Sequence, residues 1–273
     1  MSKQCCYLCK KNDDLKDSHI ISKFIYRFML KYQKEVKDIN GLIIIDGEKQ
    51  TVDVSQRQWK KKLLCGSCEG LLSKNETKMA KWMKKINDME HRERINCMYS
   101  SNFDSIKELL DPKYKRIEVD QYLSELFINK EKETDIKFFV IGYLLRHLYV
   151  IDNTLDKKII KLLEDHILGV IDYKIKLIIK VNSGEQSCMM FSSVFTVDKM
   201  ERYKHYNFML PNMWFHVIFD EDNVNESDEI LILPEDFDKD EHIQYLFRHQ
   251  AENLTVKPKA KQVLDSVLGS SKV

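Results

Sequence analysis

The sequence predicts an α+β protein, with an N-terminal module braced by a metal, a helical segment after it, and a small antiparallel sheet last. Three observations predict this order. Two C-x-x-C pairs, Cys6/Cys9 and Cys65/Cys68, lie within the first 70 residues. Segments with helical periodicity fill the middle of the 273-residue chain, and short β-rich runs separated by turn residues follow residue 173. The composition, 43% hydrophobic and 32% charged with only 8 Gly and 4 Pro, is that of a globular chain with enough length to bury a core.

Each C-x-x-C knuckle presents two sulfurs to one ion, and two knuckles supply the four thiolates of a tetrahedral zinc site with bonds of about 2.3 Å. A redox dithiol needs one pair beside a βαβ unit, and neither pair has such surroundings. Cys5 precedes the first knuckle, and the C-x-x-C spacing favours Cys6 with Cys9 over Cys5 with Cys9. The N-terminus Met-Ser-Lys-Gln-Cys-Cys has no apolar signal region, so a cytosolic, thiol-preserving location is expected.

Between the knuckles, Leu15 to Ile21 reads as a short hairpin carrying His19, and Ser22 as the cap of the next helix. Phe24, Ile25, Phe28, Met29 and Tyr32 form the stripe of that amphipathic helix, which runs to about Val36. A hairpin of Leu42 to Ile45 and Thr51 to Val54 turns at Asp46-Gly47. A lysine-rich strip, Trp59-Lys60-Lys61-Lys62, leads to the second knuckle, and a helix is expected from Glu69 to about Asn87. Lys74, Lys78, Lys81 and Lys85 share one face of that helix. Glu76 lies two turns, about 10.5 Å, beyond Glu69, so the two are not expected to serve one ion, and Glu76 reads as a surface or supporting carboxylate.

The order of knuckle, histidine, second knuckle and helix opening with a polar residue resembles the treble-clef HNH (His-Me finger) endonucleases, in the endonuclease VII-like arrangement. The resemblance covers roughly the first 80 residues. It implies a treble-clef ββα module in which His19 is the general base, Cys6, Cys9, Cys65 and Cys68 hold structural zinc, and Glu69 holds a catalytic Mg²⁺ or Mn²⁺. The middle residue of the motif falls on Asn40 or Gln58. Two positions depart from the family: its Asp before the histidine is Ser18 here, and its Asn after the last cysteine is Glu69. Moving the acid from hairpin to helix leaves the charge of the site unchanged. The resemblance further implies DNA or RNA as substrate, and a role as a bacterial defence or mobile-element effector beside a regulatory partner such as an ATPase or sensor. A zinc-braced nucleic-acid or protein-binding module without catalysis is the competing expectation.

Charge divides the chain at about residue 100. Residues 1–100 carry 21 Lys+Arg against 13 Asp+Glu, and the remainder 23 against 30. The expected domains are therefore a basic nuclease-like module over 1–100, suited to phosphates, and an α+β domain over 101–273 for targeting, regulation or partner binding. In the second part, Ile106 to Leu110 ends at Pro112, and helices are expected over Asp120 to Asn129, Asp135 to Ile151 and Leu155 to Ile171. The middle one is apolar nearly all round and hence buried. Its run Phe138 to Ile151 is too short for a membrane span and contains Arg146 and His147. Strands are expected over Lys174 to Val181 and Cys188 to Val197, joined at Asn182-Ser183-Gly184, and over Trp214 to Phe219 and Ile230 to Leu233. A loop over Asp220 to Glu229, a helix over Glu241 to Gln250, and a stretch from Lys257 to Val273 that reads as weakly structured or as a terminal helix with a frayed tail complete the reading. His147, His166, His205 and His216 carry no catalytic assignment, and no P-loop, dinucleotide fingerprint or repeat is present.

Overall fold

The computed structural model describes residues 4–37, 41–46, 49–88, 130–151, 157–184, 188–200, 203–220, 229–237, 239–240, 255–258 and 260–261. Asn40, the segments expected as helices over 106–110, 120–129 and 241–250, and most of the 220–229 loop and C-terminal tail lie outside them. The architecture is mixed α+β, with four helices longer than two turns among the described residues.

The knuckle strands β1 (Gln4–Cys5) and β2 (Asn12–Asp13) form a small antiparallel ribbon. Strand β3 (Leu15–His19) follows, and helix α1 (Lys23–Lys37) presents Ile25, Tyr26 and Met29 to the core, as its stripe demands. Strands β4 (Leu42–Asp46) and β5 (Thr51–Ser55) make the expected hairpin, with the Lys49 N–H donating to Asp46 Oδ1 at 3.1 Å. Strand β6 (Lys60–Cys65) then runs antiparallel to β3, with a register shift between Lys16 and Asp17. His19 is therefore not on a local hairpin. Its strand pairs with one some 40 residues later in the chain, placing His19 opposite Lys60. Helix α2 (Gly66–Ile86) begins at the second cysteine pair.

Helix α3 (Lys130–Leu148) is buried along Ile136, Phe139, Val140, Ile141, Tyr143, Leu144, Leu145 and Leu148, consistent with its nearly all-round apolarity. Helix α4 (Lys157–Ile167) is amphipathic, with Ile159, Leu163 and Ile167 buried. Neither α3 nor any other helix of the described residues is long and apolar enough to cross a membrane.

A five-stranded sheet completes the core, in the order β11 (Glu229–Glu235), β7 (Lys176–Asn182), β10 (Met213–Asp220), β9 (Tyr203–Leu210), β8 (Phe195–Met200). Two expectations change here. Strand β7 pairs with β10 and β11 and not with the segment after its turn, and β11 runs parallel to β7 in an otherwise antiparallel sheet. The Asn182 side chain is held in place: Nδ2 donates to Asn212 Oδ1 at 3.0 Å, and Oδ1 accepts from the Gly184 N–H at 2.9 Å. Strand β9 was not among the expected strands. A short β12 (Thr255–Val256) adds in parallel to β5.

One cluster of buried side chains runs from Cys6 through α1, α2, α3 and α4 to Phe219 in β10. Phe208 stacks on Tyr143 with ring centroids 4.4 Å apart, and Phe215 on Phe208 at 4.6 Å. The Tyr143 hydroxyl donates to the Ser192 carbonyl at 2.7 Å. The N-terminal module thus shares its core with the residues beyond 130. Lys10, in the first knuckle, also donates to the buried Glu164 of α4 at 2.6 Å.

Candidate functional site

The four knuckle cysteines converge. Their sulfurs all lie within 4.8 Å of one another, and Cys9 Sγ stands 3.8 Å from Cys65 Sγ. A tetrahedron with metal–sulfur bonds of about 2.3 Å has an edge of roughly 3.8 Å, so this spacing suits an ion and is far too long for a disulfide. The first knuckle is closed by the Lys10 N–H donating to the Cys6 carbonyl at 2.9 Å, and it turns on Lys10 at φ 59°. The Cys65 N–H donates to Cys6 Sγ at 3.3 Å, tying one knuckle to the other. Burial pushes the thiols of Cys9 and Cys68 up. Burial also raises Cys65, but hydrogen bonds from the Ser67 hydroxyl and the Cys68 backbone outweigh it and bring that thiol down to about 6. Four clustered thiols cannot all ionise without a cation among them, and the donor set is compatible with structural zinc. Cys5 is exposed and stands apart from this cluster.

From this brace the chain places His19 beside α2. The Ile20 N–H donates to the Trp59 carbonyl at 3.0 Å, and the Trp59 N–H to the Tyr26 hydroxyl at 3.0 Å, fixing the end of β3 against the approach to β6. His19 Nε2 lies 2.7 Å from Gln58 Oε1. An amide oxygen only accepts, so Nε2 carries the proton and Nδ1 keeps the lone pair. Burial lowers the pKa of the half-buried ring, and Lys60 and Lys23 reinforce this against the opposing pull of Gln58 and Glu76. The imidazole is neutral at pH 7. Of the two candidates to accompany the histidine, Gln58 is bonded to it, and Asn40 lies outside the described residues.

Ser18 alternates with His19 along β3 and points inward: it is fully buried, and its hydroxyl has no hydrogen-bond partner among the described residues. Ser22 does not cap α1 through its side chain. Its hydroxyl donates instead to Glu76 Oε1 at 2.8 Å. Glu76 also receives the Arg146 Nη1 group, while Arg146 Nη2 lies 3.3 Å from Glu69 Oε2. The two glutamates that the axial spacing seemed to keep apart thus converge on one cation, a guanidinium from α3 that is itself only 3% exposed. Their convergence follows from the helix: positions seven apart share a face, and the two glutamate side chains lean toward each other along it to reach one guanidinium. Among the described residues, Glu69 Oε1 is buried without a partner, as is Arg146 Nε.

The four lysines of α2 do not belong to this site. At roughly 100° per residue they stand about 180° around the helix from Glu69 and Glu76, and Lys78 is paired with Asp135 at 2.7 Å. Lys23 and Lys60 are the cations whose field reaches His19. Sequence reasoning missed Arg146 and the joining of Glu76 to Glu69 through it, having read Glu76 as a surface or supporting carboxylate. The available signal was a charged residue inside the most apolar run of the chain, because a buried guanidinium requires carboxylate partners. His147, next to it, donates Nδ1–H to the Tyr143 carbonyl at 2.8 Å and meets the edge of Trp59, as suits a core histidine.

Comparison with known proteins finds no matching family model, no matching curated relative and no matching solved structure.

Proposed function

We propose that this chain is a metal-dependent HNH-type endonuclease that hydrolyses phosphodiester bonds of DNA or RNA, with zinc held by Cys6, Cys9, Cys65 and Cys68 as a structural brace in a treble-clef-like module. The observation that carries this reading is the neutral, oriented imidazole of His19. Gln58 fixes its tautomer, Lys23 and Lys60 act on it, and its strand packs against the helix that starts at the clustered cysteines.

In this reading His19 Nδ1 takes a proton from the attacking water, the role a neutral imidazole fills near pH 7. Gln58 holds the ring in that tautomer. Lys23 and Lys60 draw the phosphate toward the imidazole and offset its charge. Glu69, with one buried oxygen lacking a partner, fits a divalent cation such as Mg²⁺ or Mn²⁺, which prefers carboxylate ligands. Such an ion, when bound, supplies charge neutralisation at the phosphate and the leaving oxygen. The family resemblance adds a role in bacterial defence or a mobile element, under a regulatory partner such as an ATPase or sensor.

The test is cleavage of supercoiled plasmid and of a structured RNA by the purified full chain with Mg²⁺ or Mn²⁺. Nicking that EDTA and His19→Ala both abolish supports the enzyme. Tight binding without cleavage, or equal cleavage by His19→Ala, refutes it and favours a zinc-braced binding module.

A further inference from the structure

We infer that Arg146 is the resident counter-cation of this site: it holds Glu69 and Glu76 together and competes with a divalent ion for Glu69, so that helix α3 sets the metal affinity. The inference rests on the reading of Glu69 as the ion's ligand.

The guanidinium is almost wholly withdrawn from water, and a buried charge in this condition persists only when it is paired. One arginine facing two carboxylates leaves a net negative charge, which is what attracts a second cation. The two arms of the pairing are unequal. Glu76 receives Nη1 in close contact and is braced from the other side by the Ser22 hydroxyl, itself fully buried. Glu69 is held only at 3.3 Å, and its other oxygen is buried and has no hydrogen-bond partner among the described residues. Glu69 is therefore the arm that can be released, and the ion gains an oxygen that no other described residue satisfies. Arg146 stays on Glu76. Because its positive charge remains within a few ångströms of the ion, it weakens binding, and even with water-like screening a unit charge at about 5 Å from a dication changes affinity by at least about tenfold.

A purely structural arginine would act differently. Its loss would destabilise the protein equally with and without Mn²⁺, whereas a competing arginine leaves two unneutralised carboxylates that Mn²⁺ restores. The experiment uses zinc-loaded full-length protein, with Mn²⁺ binding followed by electron paramagnetic resonance and thermal unfolding recorded with and without Mn²⁺. Arg146→Met is expected to bind Mn²⁺ at least about tenfold more tightly than wild type and to show the larger Mn²⁺-dependent rise in Tm. Arg146→Lys keeps the charge and the fold, but one ammonium cannot span both carboxylates, so its affinity is expected between the two. Either folded variant binding Mn²⁺ no more tightly than wild type overturns the inference. Glu69→Gln is expected to lose Mn²⁺ binding; if it binds as wild type does, the reading of Glu69 as the ligand fails and the competition fails with it.

Discussion

Removing one sulfur from the knuckles is the perturbation with the most calculable outcome. In Cys9→Ser the partner of Cys65, 3.8 Å away, is replaced by a hydroxyl that binds zinc poorly. The two knuckles are then joined mainly by the Cys65 N–H to Cys6 Sγ bond and the Tyr7 N–H to Leu63 carbonyl bond, each worth about 1 kcal/mol. A structural zinc of this type contributes about 10–16 kcal/mol of apparent binding energy, or about 2.5–4 kcal/mol per ligand if shared equally. For a chain of this size that corresponds to a fall in Tm of roughly 5–16 °C. Because the core is continuous from Cys6 to Phe219, the loss should lower a single unfolding transition and not melt the N-terminal module alone. Zinc content by atomic emission and calorimetric unfolding measure both quantities. Full zinc content with an unchanged Tm would refute the metal argument, and two separated transitions would refute the shared core.

Three further outcomes rest on named contacts. His147 is fully buried and held neutral, its pKa lowered to about 4 by burial. Its folded value lies below the unfolded one, so its share of stability is complete above pH 6.5 and is lost as pH falls toward 4, by about 3 kcal/mol; urea unfolding across that range should show the loss in wild type and a smaller one in His147→Leu. A Cβ on Gly142 would stand 2.9 Å from Cδ2 of the buried Leu72, the far end of a flexible side chain. Gly142→Ala should therefore change stability by no more than about 1 kcal/mol in chemical denaturation, crowding and the gain in helix propensity nearly offsetting each other, and a loss of about 3 kcal/mol or more would mean that Leu72 cannot yield. Gln58→Leu removes the acceptor of His19 Nε2 and a bond that favours the charged ring, so the His19 NMR titration should move to still lower pH; an unchanged titration would mean that the bond is absent in solution.

The sequence by itself determined the local facts. The spacing of Cys6, Cys9, Cys65 and Cys68 anticipated a metal cluster, and the apolar stripes of α1, α2, α3 and α4 anticipated their helices to within a few residues, because knuckle geometry and helical period are properties of neighbouring residues. Strand β9 was not anticipated, although Tyr206, Phe208 and Leu210 alternate before Pro211-Asn212. What only the tertiary structure decided was partnership across distance. The pairing of β3 with β6, the refusal of β7 to form a local hairpin, and the convergence of Glu69, Glu76, Ser22 and Arg146 each join residues tens of positions apart. Such choices depend on which buried charge or strand edge finds its complement once the core closes. That energy is shared among distant segments and leaves no period in any one of them.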